Sequence, residues 1–212
     1  GDRFAVISQD LWEERLCFPD TAEGFSYSVA MCAAGLDAAA ALVGVERYAG
    51  VAKKMRQVVL GGNPDFFSRS FGPLRDGRVD ASLLGLVWPA RLVEPSDGRM
   101  VRTVSSIVER LYRGGVFRYE GDEYDGWMFE EHKRKKGAGW WPLLSCWLAL
   151  YWLEAGEQQK ALALVDEVKA VIGDDFLVPE QVFDNQLQVG VKPLCWSHAM
   201  LLIVADRLGL LR

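Results

Sequence analysis

Helical segments that are apolar on nearly all sides alternate along this chain with segments that are apolar on one side only. The fully apolar segments lie at 25–43, 80–92, 139–155 and 193–208. The one-sided segments lie at 45–60, 97–112 and 157–172. A helix that is apolar all round belongs in the interior of a protein, and a one-sided helix belongs at its surface. The alternation therefore predicts an all-α fold of about seven helices, arranged as an inner ring and an outer ring of paired helices.

Loops rich in polar residues, glycine and proline separate these helices. They span residues 1–24, 61–79, 114–138 and 173–192. Each loop leads into one of the apolar helices, so we expect all of them to gather at one mouth of the ring. Loops of this length inside a compact domain are usually functional or disordered. The sequence thus predicts that the functional residues lie in the loops.

Length and charge exclude some classes of function. A chain of 212 residues suits one domain with a sizeable core. Its net charge of −5 argues against nucleic acid as the main partner, which usually needs a basic face. The basic run at 132–136 follows five acidic residues within 122–131, so it is interpreted as a solvated loop.

The four cysteines show no metal-ligand spacing. They are Cys17, Cys32, Cys146 and Cys195. Most lie in apolar stretches, which favours reduced core residues over a disulfide framework. No segment is interpreted as spanning a membrane. The first residues do not form a secretory signal. We therefore expect a cytoplasmic location, and secretion stays open because Gly1 need not be the natural start of the protein.

Metal and nucleotide chemistry find no support in the residue pattern. The chain contains two histidines, His132 and His198, and neither has a partner at ligand spacing. It contains no phosphate-binding or dinucleotide-binding glycine pattern. We therefore expect neither a metal ion nor a cofactor.

Two glutamates in different loops are candidates for acid–base chemistry. Glu13 lies in Trp12-Glu13-Glu14, and Glu180 lies in Pro179-Glu180-Gln181. Two carboxyl groups that face each other across a cleft can hydrolyse a glycosidic bond, since one protonates the leaving oxygen and the other activates water or attacks the sugar. Taken singly, each motif is better interpreted as a solvated surface carboxylate.

An arginine and a group of tryptophans could line such a cleft. Arg118 lies between Phe117 and Tyr119, and its planar fork of donors suits sugar hydroxyls, although an exposed arginine is the commoner case. The chain has eight tryptophans, and a flat indole can pack on a pyranose ring. The group of Trp127, Trp140 and Trp141 could be core, and we expect at least one of them to face the cleft.

Five stretches occur in the order typical of one enzyme family. They are Asp10-Leu11-Trp12-Glu13-Glu14, Asp80-Ala81-Ser82-Leu83-Leu84-Gly85, Phe117-Arg118-Tyr119-Glu120-Gly121-Asp122, Leu177-Val178-Pro179-Glu180-Gln181 and Pro193-Leu194-Cys195-Trp196-Ser197-His198. Together they cover nearly the whole chain and resemble the glucoamylase-type glycoside hydrolase family 15. The resemblance implies an (α/α)6 barrel, a ring of six helical hairpins, and hydrolysis that inverts the configuration of the released sugar.

The resemblance also implies roles for six residues. Glu13 corresponds to the general acid of the family, and Glu180 to the general base that holds the attacking water. Glu14 corresponds to a substrate-binding carboxylate, and Arg118 to an arginine that hydrogen-bonds sugar hydroxyls. Trp12 and Trp141 correspond to aromatic walls of the pocket.

The chain departs from the family in length, since the full ring needs twelve helices. The resemblance therefore implies the C-terminal part of a catalytic domain, with the N-terminal helices absent. Its expected function is release of glucose from the non-reducing ends of α-glucans. A glucodextranase, a trehalase and a non-catalytic carbohydrate-binding or regulatory module are the alternatives. We expect the missing N-terminal half, a second copy or another subunit to complete the ring.

Overall fold

The structure is a computed structural model that describes residues 8–13, 16–17, 24–74, 76–126, 137–184 and 190–211. The chain divides into two compact units, residues 1–106 and 107–212. The boundary between the two units falls inside the helix Gly98–Leu111. Each unit is described by itself.

The first unit is built from two long helices and short extended segments. Its helices are α1 (Ser26–Val43), α2 (Glu46–Leu60) and the first part of α3 (Gly98–Leu111). Where the structure describes this unit, its strands form two antiparallel pairs, β1 (Ser8–Gln9) with β2 (Leu16–Cys17) and β3 (Gly24–Phe25) with β4 (Ser70–Phe71). Short 3₁₀ helices span Gly72–Leu74 and Ala81–Leu86. Helix α1 is alanine-rich and ends at Gly44, whose φ of 71° suits glycine.

In its described residues, the second unit contains the end of α3 and three further helices. They are α4 (Pro142–Glu154), α5 (Gln158–Ala170) and α6 (Cys195–Arg207). Helix α4 packs against both α5 and α6. Pro142 occupies the start of α4, where its missing N–H costs no hydrogen bond.

The all-α fold class is confirmed, and one of the predicted helices is wrong. Six predicted segments are α-helices with bounds close to those expected, whereas 80–92 forms only the 3₁₀ helix Ala81–Leu86. An α-helix through this segment would press the ring of Pro89 against the carbonyl group of Gly85. A Cβ atom at Gly85 would also lie 2.4 Å from the ring of Tyr27 in α1. The segment is fully buried, as its apolar sequence predicts.

The predicted burial of the apolar helices holds for α4 but not for α1 or α6. Every residue of α4 from Pro142 to Tyr151 is buried. In α1 the buried positions all lie in the first half, and Leu42 is 86% exposed. In α6 Leu202 is 55% exposed. Apolar composition shows which surfaces can be buried, but burial itself requires a partner element on each side.

Helix α1 corrects the interpretation that no segment could span a membrane. Its 18 residues have a mean hydropathy of 1.5, which is long and apolar enough by composition. Within the first unit the helix packs against α2 and the 3₁₀ helix at 81–86. Its Asp37 also pairs with Arg56 of α2 at 2.6 Å. The composition of α1 is therefore equally compatible with a core helix.

The cysteines are only partly the core residues that the sequence predicts. Cys32, Cys146 and Cys195 have free thiols, which agrees with the expectation of reduced cysteines. Cys146 is buried, and burial raises the pKa of its thiol to about 12. Cys32 and Cys195 are exposed because they lie on the uncovered sides of α1 and α6. The side chain of Cys17 lies outside the described residues.

Candidate functional site

In the first unit, a tight turn carries the predicted general acid. The backbone N–H of Glu13 donates to the carbonyl oxygen of Asp10 at 3.1 Å. Glu13 has a φ of 58°, in the left-handed region that few residues other than glycine adopt. Its side chain is exposed. Its neighbour Glu14, the predicted substrate-binding carboxylate, lies outside the described residues.

A buried arginine stands beside this turn and is surrounded by three carboxylates. Arg69 is 2% exposed, and its Nε lies 3.0 Å from Oδ2 of Asp80. Its Nη1 lies 3.4 Å from Oδ2 of Asp76, and its Nη2 donates to Asp10. We call Arg69, Asp10, Asp76 and Asp80 the Arg69 cluster. All four side chains are buried.

Trp12 joins the turn to the Arg69 cluster. Its indole Nε1 donates to the two carboxylate oxygens of Asp80 at 3.2 and 3.1 Å. Asp80 also accepts a bond of 2.7 Å from the backbone N–H of Ser82, which is the usual arrangement of a helix N-cap. Burial raises the pKa of Asp80 despite the opposing charge of Arg69 and these hydrogen bonds. Asp80 therefore connects the predicted aromatic wall to the interior of the unit.

In the second unit, the segment that carries Glu180 is held on both sides. The backbone N–H of Glu180 donates to the carbonyl oxygen of Val191 at 2.8 Å, and Val182 pairs with Trp140. The side chain of Gln181 accepts a bond of 2.9 Å from the backbone N–H of Gly139.

Two glycines permit this close packing of the backbone. A Cβ atom at Gly139 would lie 2.4 Å from the carbonyl oxygen of Val182, and one at Gly190 would lie 2.3 Å from that of Gln181. Any side chain at either position would displace the segment. The backbone around Glu180 is therefore tightly fixed.

A histidine of α6 also anchors the approach to Glu180. The backbone N–H of Val178 donates to Nε2 of His198 at 2.9 Å. The imidazole thus acts as an acceptor within the fold. Among the residues that the structure describes, no three His, Cys, Asp or Glu side chains are grouped so that they could hold a metal ion.

The carboxylate of Glu180 lies in a half-buried environment of mixed polarity. Tyr124 donates from its hydroxyl to Oε2 of Glu180 at 3.4 Å. Burial raises the pKa of Glu180, while the Tyr124 hydroxyl, the charge of Arg118 and a hydrogen bond from Gln181 oppose this rise. These neighbours favour the ionised carboxylate, which is the form that a general base requires.

Arg118 is fixed in orientation by a carboxylate and by aromatic rings. Its Nε and Nη2 each donate to Asp122 at 2.6 Å, which is a bidentate pair. Its guanidinium carbon lies 4.9 Å from the ring centre of Tyr124, 5.1 Å from that of Trp141 and 5.3 Å from that of Tyr119. We call Arg118, Asp122, Tyr124, Trp141 and Glu180 the Arg118 cluster.

The structure thus brings together three of the six predicted site residues. Glu180, Arg118 and Trp141 belong to one cluster in the second unit, while Trp12 and Glu13 share a turn in the first. That Glu13 and Glu180 face one cleft stays a prediction. Sequence reasoning missed the roles of Tyr124, Asp122 and Arg69. The four-residue spacing of Arg118 and Asp122 is the one local signal that could have indicated their pairing.

No protein-family model matches the chain. The isomaltose glucohydrolase of Kribbella flavida is 33% identical over 151 residues, which are 65% of this chain and 36% of that protein. An uncharacterised glycosyl hydrolase of Methanocaldococcus jannaschii is 30% identical over 153 residues, which are 65% of this chain and 23% of that protein. The chain therefore spans about a quarter to a third of the length of these relatives.

Solved structures match nearly the whole chain. A glycosidase variant superimposes with a TM-score of 0.80 and 26% identity over 97% of this chain and 56% of its own. A bacterial glucoamylase complexed with acarbose has the same fold, with a TM-score of 0.75 and 20% identity over 93% of this chain and 34% of its own. These similarities confirm the resemblance to glucoamylase-like glycosidases that the five sequence stretches indicate.

Proposed function

Because the chain is similar in sequence and fold to glucoamylase-like glycoside hydrolases, we propose that it carries catalytic residues of a glycoside hydrolase that releases glucose. In this proposal the enzyme acts on the non-reducing ends of α-glucans or oligosaccharides and inverts the anomeric configuration. The observation that carries the proposal is the environment of Glu180, a half-buried carboxylate beside the Tyr124 hydroxyl and the Arg118 guanidinium.

Glu180 acts in this proposal as the general base. Its tightly packed backbone fixes where a water molecule can be held, and the neighbouring donors favour its ionised form. Arg118, oriented by Asp122, offers its donors to sugar hydroxyls, and Trp141 supplies a flat apolar face next to it. A planar cation beside aromatic rings suits a sugar, which is polar at its rim and apolar on its faces.

Glu13 acts as the general acid, with Trp12 and Glu14 as substrate contacts. For an inverting reaction its carboxyl group must stand about 6.5–9.5 Å from that of Glu180, which leaves room for the attacking water. A shorter separation of about 5–5.5 Å would instead make Glu180 a nucleophile in a retaining mechanism. A crystal structure of the chain with a bound sugar would measure this gap.

The comparisons also bear on which glycosidic linkage the enzyme hydrolyses, and one of them favours the α-1,6 linkage. The relative from Kribbella flavida is an isomaltose glucohydrolase. We therefore propose isomaltose beside maltose as a substrate to be tested. Trehalase and glucodextranase activities remain alternatives, to be tested on trehalose and dextran. A non-catalytic carbohydrate-binding role is the alternative from another class, and it would require neither Glu13 nor Glu180.

Replacing Glu180 by glutamine tests the proposed function. Glu180→Gln removes the base but keeps the shape, so glucose release from maltose or isomaltose should fall by about 10²–10⁴-fold. Sugar binding, measured by calorimetry, should persist. Glu123→Gln is the matched control because Glu123 is exposed in the same loop as Tyr124. Equal glucose release by both variants would rule out the role of Glu180. Sugar binding without any glucose release by the protein with its ring completed would favour the binding module.

We also propose that further polypeptide covers the exposed apolar sides of α1 and α6. Leu42 and Val43 at the end of α1 are 86% and 57% exposed, and Leu202 of α6 is 55% exposed. Contiguous exposed apolar surface commonly marks an interaction site. The occupant is the N-terminal part of the same protein, a second copy of the chain or another subunit. Sedimentation of the isolated chain tests this, and a sharply melting monomer would contradict it.

A further inference from the structure

Two side chains anchor the turn at residues 10–13, and both lead to Arg69. The carboxylate of Asp10, at the start of the turn, accepts a hydrogen bond from Arg69. The indole of Trp12 donates to Asp80, which pairs with Arg69 at 3.0 Å. Glu13 follows with its backbone N–H bonded to the carbonyl oxygen of Asp10. The backbone of Glu13 is therefore held through both anchored residues, by a hydrogen bond to Asp10 and by the peptide bond to Trp12.

The strained backbone conformation of Glu13 explains why the turn needs these two anchors. A glutamate with a φ of 58° is strained, and such conformations persist only where the surrounding structure enforces them. The left-handed backbone sets a different direction for the Cα–Cβ bond from that of an ordinary turn. Loss of either anchor would allow the turn to relax and the side chain of Glu13 to point elsewhere.

We propose that Asp80 is a positioning residue for Glu13, which acts by holding the indole N–H of Trp12 and so keeps the turn at 10–13 in its strained form. Arg69 supplies the positive charge that holds the Asp80 carboxylate in place. The catalytic consequence rests on the proposed role of Glu13 as general acid, whereas the positioning itself does not. Removing a proton donor from its working position costs rate in the chemical step more than it costs substrate affinity.

The first arm of the test measures the turn by NMR. Asp80→Asn replaces the charged acceptor by a neutral one, and Asp76→Asn is the matched control because Asp76 pairs with the same Arg69. The indole resonance of Trp12 is assigned by its loss in Trp12→Phe. We expect hydrogen exchange of this indole to quicken roughly tenfold in Asp80→Asn, since a charge-assisted bond becomes a neutral one. The amide resonance of Glu13 should shift with it, and Asp76→Asn should change neither signal.

A second variant removes the donor and spares the charges. β-(3-Benzothienyl)alanine at position 12 has the shape of tryptophan but a sulfur atom in place of the indole N–H. The Glu13 amide resonance should shift in this chain as it does in Asp80→Asn. This variant also decides the proposal if Asp80→Asn fails to fold.

The second arm measures turnover of maltose and isomaltose. In both variants kcat should fall about tenfold while KM stays within about twofold, and combining the two changes should cost no more than either alone. An unchanged Glu13 resonance in the folded variants overturns the positioning role, whether or not the chain is active. Equal losses of kcat in Asp76→Asn and Asp80→Asn also overturn it. If the protein with its ring completed is inactive and its Glu13 resonance still responds, the proposed function alone is rejected.

Discussion

The Arg69 cluster and the Arg118 cluster each place one buried arginine among acidic groups, but they use it differently. Arg69 meets three carboxylates, and all four side chains are buried. Among the described residues, Arg118 pairs with the carboxylate of Asp122, and it also lies near aromatic rings and the half-buried Glu180.

We interpret this difference as a structural use of charge in the Arg69 cluster and a proposed functional use in the Arg118 cluster. Burying several charges costs much free energy unless each charge is paired, so the Arg69 cluster is stable only as a complete set. A guanidinium held by one carboxylate and flanked by ring faces is already oriented for a ligand with hydroxyl groups. We therefore expect loss of Arg69 to affect mainly stability, whereas substitutions in the Arg118 cluster should affect mainly binding and turnover. Asp80 is the member of the first cluster that should also affect turnover, through the turn that carries Glu13.

The largest expected effect is the loss of the central cation in the first cluster. Arg69→Met leaves three buried carboxylates without their shared partner, so the free energy of unfolding should fall by about 3–5 kcal/mol. Urea unfolding measures the loss. Arg56→Met is the control, because its pair with Asp37 is partly exposed and should contribute only about 0–1 kcal/mol. Similar losses of unfolding free energy in the two variants would show that the buried cluster stabilises the protein no more than a partly exposed ion pair does.

The second largest effect is expected from Arg118→Lys, which keeps the positive charge but loses the planar shape of the guanidinium. Arg118→Lys cannot form the bidentate pair with Asp122 or stack its flat face on Trp141. Binding of maltose or isomaltose should weaken roughly 10–100-fold in calorimetric titration, with little change in unfolding. Arg110→Lys is the control, since Arg110 pairs with Glu120 at the exposed surface. A large loss of stability without weaker binding would show that Arg118, like Arg69, contributes mainly to stability.

A smaller effect is expected from the Tyr124 hydroxyl. Tyr124→Phe removes a hydrogen bond that lowers the pKa of Glu180, so this pKa should rise further. A general base works when ionised, and therefore the acidic limb of the pH–rate profile should move to higher pH. The maximal kcat should fall about fivefold. Tyr112→Phe is the control because it removes a similar hydroxyl bond, to Glu167, and its profile should not move.

The smallest effect is the pH dependence of stability caused by Asp76. Burial raises the pKa of this group, but hydrogen bonds from Arg78 and the charges of Arg69 and Arg78 lower it to about 2, below the ordinary value of 3.8. A lowered pKa contributes stability above about pH 4, which is lost as the pH falls toward 2. Urea midpoints of Asp76→Asn should therefore decline less over this range than those of the unaltered chain. Parallel declines would contradict the role of Asp76.

Local sequence signals predicted most of the helices. The apolar stripe of α3 and the glycines that follow α1 and α2 depend on neighbours within one or two turns, so they can be read from the sequence. The capping role of Asp80 is local too, since its partner Ser82 is two residues away. The 3₁₀ form of Ala81–Leu86 was not predicted, although Pro89, which opposes an α-helix through this segment, lies nearby in the sequence.

The candidate site was predictable by residue but not by arrangement. Glu180, Arg118 and Trp141 were named from motifs, yet Tyr124 was not, because its partner Glu180 is 56 residues away. Arg69 was missed because an isolated arginine in a loop carries no sign that Asp10, 59 residues earlier, will be its partner.

By itself the sequence determined the helical class, the bounds of most helices and the identity of the acidic and aromatic candidates. Helical periodicity, capping and motif order are carried by residues close together in the chain. Only the tertiary structure decided which charges are buried together, which sides of α1 and α6 stay uncovered and which hydroxyl meets Glu180. Those outcomes depend on the path of the chain, since burial and charge pairing are properties of neighbours in space, whatever their distance in sequence.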